Sequence, residues 1–387
     1  MNAELNDQRR HDRYPHVFNE LKIGPVTLPN RVAFPAWALN YAHTDGTVSG
    51  KLMKFYTDLA KGGCGLIFTG AAVVSSDGVP FDRVMHVDKD EHIPGLKKLF
   101  AAIKEYGAVP AIQLVHYGRQ SSTTFSGNTL LAPSAVPCPV MSKYDPGYKV
   151  REMTAQDIDR IRKAFIDAAV RAADAGVDVI EVHACHGYLL NEFLSPYSNK
   201  RTDAYGGSVE NRARLIVEII EGIRGKLKNN VAITVRVSGD EFVEGGLKPG
   251  DFEEIVPMFE KAGIDLLSVA AGVYESMDRI VPPKSYGTMP HIDVAAQIRA
   301  FTTVPVCAVG SILSRGLEAA EAVLSGGKAD LCALGRAQMA DPAIVKKSGE
   351  GREADVTQCI HCNSCTFWTT GDPEVYCAVN PDYKKPN

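Results

Sequence analysis

The sharpest chemistry in this sequence lies in one short run, His183-Ala-Cys-His186-Gly-Tyr188. Two imidazoles this close, just past an apolar strand-like stretch, can both donate to one carbonyl oxygen or oxyanion. A tyrosine beside them can supply a proton. A plainer reading makes one histidine a satisfied buried side chain and Tyr188 a packing residue. A metal site is a third reading, although no carboxylate or further histidine stands at an obvious spacing.

A second constellation sits near the end: Cys359-Ile-His-Cys362-Asn-Ser-Cys365, then Cys377 after eleven intervening residues. Three thiolates at two-residue gaps plus a distant fourth are the pattern of iron–sulfur ligation, and of a [4Fe-4S] cluster in particular. Structural zinc is the alternative, and it usually pairs its CxxC units. The other five cysteines, Cys64, Cys138, Cys185, Cys307 and Cys332, are scattered as small core residues would be. Two more polar side chains interrupt apolar runs. Arg236 in TVRVS needs a carboxylate or an anionic ligand. Gln113 in AIQLVH is suited to the edge of a heterocycle.

What must position these groups is a recurring unit in which a helix-like stretch ends in glycine and an apolar run follows. DAGVDVIEV (174–182), KAGIDLLSV (261–269) and SGGKADLCAL (325–334) are three copies. Glycine suits the left-handed residue that closes a helix, and short apolar runs suit parallel strands buried on both faces. Eight such runs are predicted, at 31–34, 65–69, 109–114, 179–183, 232–237, 266–270, 305–309 and 330–334. A long amphipathic helix is predicted over 155–175, with Thr154 as N-cap and Asp157 completing a capping box. Eight β/α units over roughly 300 residues point to an α/β fold, the TIM (β/α)8 barrel, with a doubly wound open sheet as competitor.

In such a barrel the active site lies where the strands end. The residues expected there are Pro35, Ala36 and Trp37, then Gly70 and Ala71, then Gln113 and His116, then the histidine–tyrosine run. Arg236, Ala271 with Gly272, Tyr274, Gly310 with Ser311, and Gly335 with Arg336 complete the rim. Glycine-rich turns after strands 7 and 8 form the usual barrel phosphate site, though they also serve simply as tight turns. The division expected is a barrel over 1–350, a lid inserted after strand 3 over 117–153, and a cluster-binding segment over 351–387 packed on the barrel. The lid reading rests on the length of that interruption and its Ser, Pro, Gly and Thr content.

Composition limits the alternatives. The chain has 387 residues, 45% hydrophobic and 23% charged, with a net charge of −4. Nothing basic points to nucleic acid, no apolar run reaches the roughly 18 residues of a membrane span, and the polar N-terminus does not read as a secretory signal. A cytoplasmic enzyme with a small-molecule substrate is expected, assembled as a homo-oligomer.

Together these residues resemble the old yellow enzyme family. More narrowly, they resemble the barrel half of its iron–sulfur flavoproteins, the 2,4-dienoyl-CoA reductases, 2-enoate reductases and trimethylamine dehydrogenase. The resemblance runs through LKIGPVTLPNRV (21–32), QLVHYGRQ (113–120), EVHACHGYLLNEFLSPYSNKRTDAYGGSVENR (181–212), RVSGDE (236–241), ALGRAQMADP (333–342) and CIHCNSC…CAVNP (359–381). It implies a barrel holding FMN non-covalently. Gln113 and Arg236 would meet the flavin pyrimidine, Pro35, Ala36 and Ala71 the ring system, and Gly310, Gly335 and Arg336 the phosphate. His183 and His186 would anchor the substrate, with Tyr188 as proton donor and Trp37 and Tyr274 as substrate contacts. Cys359, Cys362, Cys365 and Cys377 would hold a [4Fe-4S] cluster.

The activity implied is an ene-reductase, reducing the C=C bond of an α,β-unsaturated carbonyl, enoate or acyl-CoA thioester. An amine dehydrogenase and a non-catalytic electron-transfer subunit are the rivals. Two positions depart from the family pattern. Tyr274 stands where the dienoyl-CoA reductases carry histidine, and His183 where trimethylamine dehydrogenase carries tyrosine. No G-x-G-x-x-G follows the cysteines, so electrons are expected to pass through a separate protein, a ferredoxin or an FAD/NAD(P)H subunit, docked near 359–377.

Overall fold

All eight apolar runs fold as strands and close into a ring, as the computed structural model shows for residues 10, 12–127, 129–366 and 374–385. The strands are β1 Val32–Phe34, β2 Leu66–Val73, β3 Val109–Val115, β4 Val179–Ala184, β5 Ala232–Ser238, β6 Leu266–Ala270, β7 Val306–Val309 and β8 Leu331–Ala333. Every neighbouring pair is parallel, and β1 bonds to both β2 and β8. That closure makes the sheet a barrel and excludes the open doubly wound alternative.

Outside the ring lie α1 Gly50–Lys61, α2 Ile93–Lys104, α3 Ala155–Asp174, α4 Val209–Leu227, α5 Phe252–Ala262, α6 Ile292–Arg299, α7 Glu318–Ser325 and α8 Ile344–Gly349. The predicted cap of α3 is present: Thr154 Oγ1 accepts from Asp157 N at 3.1 Å, and Asp157 Oδ2 accepts from Thr154 N at 2.9 Å. Such a cap contributes about 1 kcal/mol. The inner stripe of α3, Ile158, Ile161, Phe165, Ala168, Ala169 and Ala172, is buried, and each large side chain there contributes about 1.5–3 kcal/mol on burial.

Strand alternation then decides what faces the barrel interior. On β4, Glu181 and His183 point the same way, as do Thr234, Arg236 and Ser238 on β5. The register sets Gln113 beside Glu181 and His183 beside Arg236. The polar residues therefore stack in layers toward the C-terminal end. The opposite mouth is apolar. A hairpin, Leu21–Ile23 against Val26–Leu28, covers it, with Leu21, Ile23 and Leu28 packed on Leu66, Val179, Leu266 and Leu331 at the strand beginnings. The scattered cysteines Cys64, Cys138, Cys185, Cys307 and Cys332 are all buried.

The segment 117–153 differs from its composition. It is not structureless, although residue 128 lies outside the described residues. Strands Leu130–Ala132 and Val150–Glu152 pair in parallel, and short helices span Thr123–Ser126 and Met141–Tyr144. Arg201, from the NKRTDAYGG run, fastens its base by donating to Pro133 O at 2.9 Å and Met153 O at 2.7 Å. The C-terminal residues fold back on α1. Tyr383 donates to Asp58 Oδ2 at 2.6 Å and packs its ring edge-on against Phe55, and Asn380 donates to Met339 O at 2.9 Å. Residues 367–373 of that segment, and 1–9, 11, 386 and 387, lie outside the described residues. Among the described residues no helix is long and apolar enough to cross a membrane.

Candidate active site at the C-terminal mouth of the barrel

A cavity opens where the strands end. Of the predicted rim residues, Pro35, Ala36, Trp37, Ala71, Gln113, His183, His186, Tyr188, Arg236, Tyr274, Gly310, Ser311, Gly335 and Arg336 line it, whereas Gly70, His116, Ala271 and Gly272 do not. His116 instead bonds Asp77 Oδ1 at 3.2 Å and is fully buried. Tyr117 and an apolar arc of Met277, Ile280, Val281 and Pro282 complete the wall. Among the described residues no carboxylate lines it, whereas two arginines do.

The floor is built by Glu181, which the sequence reading overlooked. Its Oε1 accepts from Gln113 Nε2 at 2.7 Å, and its charge faces Arg236, while burial pushes its carboxyl above the usual range. Glu181 thus answers Arg236's need for a counter-charge and turns the rest of the Gln113 amide toward the cavity. Arg236 Nε has no partner among the described residues. An unpaired buried guanidinium N–H is costly, so the floor fits a planar, acceptor-rich ring, as the resemblance implies for FMN.

His183, His186 and Tyr188 stand together on one side. The imidazole centroids are 5.3 Å apart, and the Tyr188 ring is 5.0 Å from His183. His186 holds a left-handed conformation, φ 61°, an uncommon one outside glycine. Three contacts hold it there. Ser238 Oγ accepts from His186 N at 2.8 Å, Gln120 Nε2 donates to His186 O at 2.8 Å, and Asn191 Oδ1 accepts from Gly187 N at 2.6 Å. Asn191 is fixed in turn by Glu241, which also accepts from Ser195. The RVSGDE and QLVHYGRQ runs carried this support; nothing in their spacing alone revealed it.

Burial decides the protonation states. It holds His183 and His186 well below the ordinary histidine range, with Arg236 nearby in support. Burial and the neighbouring Tyr274 and Tyr117 push the Tyr188 phenol well above its ordinary range. Near neutral pH the pair is therefore neutral imidazole and the phenol keeps its proton. A neutral carbonyl ligand should bind with the same affinity from pH 8 down to about 6, read from the flavin absorbance, whereas ordinary histidines would give a step near pH 6.5. Stability follows the opposite logic. The unfolded chain takes up these protons below about pH 6.5 and the folded chain does not, so both histidines destabilise the fold as pH falls past that value.

The remaining wall joins the cavity to the cysteines. Gly335 lies so close to Trp37 that an added Cβ would stand 2.9 Å from its ring. Arg336 donates to Pro282 O at 2.9 Å, to Asn363 Oδ1 at 2.6 Å and to Ser311 Oγ. Its guanidinium is thus partly spent on the protein, and two of its five N–H groups remain for an anion. Cys359, Cys362 and Cys365 lie within electrostatic reach of Arg336, and Cys377 of Cys359 and Cys365. All four cysteines therefore gather behind one wall of the cavity. Cys365 and Cys377 are buried and Cys362 is exposed.

Residues 16–355 match the NADH:flavin oxidoreductase / NADH oxidase family. The NADH oxidase of Thermoanaerobacter brockii is 39% identical over 352 residues, covering 90% of this chain and 53% of that protein. The NADPH dehydrogenase of Geobacillus thermodenitrificans is 38% identical over 347 residues, covering 88% of this chain and 96% of that one. A 2-naphthoyl-CoA reductase structure superposes with a TM-score of 0.89 at 30% identity, over 96% of this chain and 57% of its own. The chain thus spans about half the length of the NADH oxidase and nearly all of the NADPH dehydrogenase. A family match that takes in the whole barrel, with relatives this similar, means that the chain belongs to the old yellow enzyme family, the NADH:flavin oxidoreductases, and is an FMN-dependent oxidoreductase.

Proposed function

We propose that this protein reduces the C=C bond of an α,β-unsaturated carbonyl, enoate or acyl-CoA thioester. The observation that carries this is the His183/His186 pair set beside Tyr188, over a floor made of Gln113, Glu181 and Arg236. Bound FMN supplies the hydride. Gln113 and Arg236 would hold its pyrimidine edge, Ala71 and the Pro35–Ala36 turn its ring face, and the Gly310 and Gly335 turns with Arg336 its phosphate. His183 and His186 donate to the substrate carbonyl oxygen and stabilise the negative charge that grows there. Tyr188 gives its proton to the α-carbon. Tyr117, Tyr274, Ile280 and Val281 keep water away from the reacting atoms, and segment 117–153 acts as the lid.

Cys359, Cys362, Cys365 and Cys377 would hold a [4Fe-4S] cluster, a one-electron carrier between the flavin and a redox partner protein. Ile360, 55% exposed beside the exposed Cys362, marks the docking face. Gently purified protein should contain about one FMN and about four irons per chain. One zinc and no iron would remove the cluster.

The rival reading is amine oxidation. A histamine dehydrogenase superposes with a TM-score of 0.85 at 30% identity, and Tyr117, Tyr188 and Tyr274 form an aromatic wall with centroids 4.3 and 5.8 Å apart. Aromatic faces attract cations. Against it stands the lining itself, with two arginines and, among the described residues, no carboxylate. Single-turnover anaerobic assays separate the two. Enones or enoyl thioesters should reoxidise chemically reduced enzyme. Amines that reduce the oxidised enzyme while no alkene reacts would overturn the proposal.

A further inference from the structure

Away from the cavity, His86, Asp88 and His92 come together where a short strand, Met85–His86, extends the sheet beside β2 and the chain then enters α2. One ligand atom from each lies within 4.8 Å of the others. Asp88 Oδ1 stands 3.3 Å from His86 Nδ1 and 3.5 Å from His92 Nδ1. Two donors held tetrahedrally by one zinc at 2.0–2.2 Å stand about 3.4 Å apart. The side chains are 16%, 10% and 6% exposed in sequence order, so the site is sheltered yet reachable.

The hydrogen bonds around His92 point to a cation. Its Nε2 is 3.2 Å from the carbonyl oxygen of Asp45, which can only accept, so that nitrogen carries the proton. In the neutral ring Nδ1 is then an acceptor, and it stands 3.5 Å from a carboxylate oxygen that also only accepts. Lys89 N–H donates to the same Nδ1 in a long bond of 3.3 Å. A positive ion between Nδ1 and Oδ1 would be held by both acceptors. The Nε2–H to carbonyl bond is also the support that metal-ligating histidines normally receive from their surroundings. The loop that supplies this carbonyl approaches His86 through Gly46, at φ +80°, where an added Cβ would stand 2.4 Å from the imidazole.

We propose that His86 Nδ1, Asp88 Oδ1 and His92 Nδ1 bind one first-row divalent ion, with zinc as the leading candidate. Two imidazoles and one carboxylate suit zinc, nickel or copper better than magnesium or calcium. The ion would tie the 43–47 loop, the strand extension and the start of α2 into one unit. Val73, which pairs with His86, lies just beyond Ala71 on the cavity rim. The proposal is independent of the flavin and of the cysteine segment.

The test uses intact holoenzyme, freed of loosely bound metal with a chelator and titrated with zinc by calorimetry. Wild type should bind one zinc with micromolar or tighter affinity at these residues. His86→Gln and Asp88→Asn should each weaken that binding by about 10–100-fold or more, with flavin content and circular dichroism unchanged. Zinc should raise the wild-type Tm and leave that of His86→Gln where it was. No binding by wild type overturns the proposal. Zinc bound equally by wild type and both variants sits elsewhere and overturns it as well.

Discussion

Replacing Tyr188 with phenylalanine should leave FMN bound and slow alkene reduction by about 10²-fold or more, the usual size of a lost general acid. That factor corresponds to about 2.7 kcal/mol of transition-state stabilisation. The ring is packed at 4.3 Å from Tyr117 and 5.0 Å from His183, and phenylalanine preserves those contacts. The hydroxyl contributes little to the fold, because its hydrogen-bond partner is Tyr274 Oη at a long 3.4 Å. The substitution therefore separates chemistry from structure. Stopped-flow reoxidation of reduced enzyme by an enone should show a slow step with an unchanged melting curve. Tyr274→Phe is the control, since its phenol, pushed up to about 12 by burial, is the next available proton. Full activity in Tyr188→Phe and loss in Tyr274→Phe would reassign the donor. Full activity in both would leave water as the source.

The barrel was legible because its strands are buried on both faces, so each reads as an unbroken apolar run between glycine and a capped helix. Once those runs close into a ring, strand alternation alone decides that Gln113, His183 and Arg236 look inward. What escaped depended on neighbours across the sheet. Glu181 in VIEVHA reads as a stray acid in a strand, and only the β3–β4–β5 register shows it beside Gln113 and one layer below Arg236. Ser238, Gln120, Asn191 and Glu241 lie on separate elements and meet only around the His186 turn. The 130–132 and 150–152 strands are three residues each and pair across a long loop, too short and too distant for periodicity to register. Arg336 was expected at a phosphate because of its place after strand 8, but the fold also spends it on Pro282, Ser311 and Asn363.

Removing Arg119 should cost about 3–5 kcal/mol of stability, the penalty for leaving a buried carboxylate without its partner. Arg119 lies at the root of the 117–153 segment with its side chain 2% exposed, and it donates to Glu275 Oε1 at 2.7 Å, itself 9% exposed. The same guanidinium donates to Pro137 O at 3.0 Å, and its backbone N–H donates to Glu192 Oε1 at 2.8 Å. One arginine thus fastens the expected lid to the loop after β6, and Glu275 follows Tyr274 directly. In Arg119→Ala the urea midpoint should fall while the cavity floor, held by Glu181, keeps its FMN. Arg119→Lys should recover only part of the loss, because a single ammonium cannot serve Glu275 and the Pro137 carbonyl in the same planar geometry. Arg119→Met combined with Glu275→Leu should recover more than either single change, since the uncompensated charge is then gone. Function should separate from stability in the same series. With the latch cut, Tyr274 loses its fixed place beside Tyr188, and amides in 117–153 should exchange faster in the free enzyme and gain more protection when a carbonyl ligand binds. Unchanged stability in Arg119→Ala, with equal and strong protection of 117–153 in free and bound enzyme, would show that this segment is rigid scaffold rather than a lid.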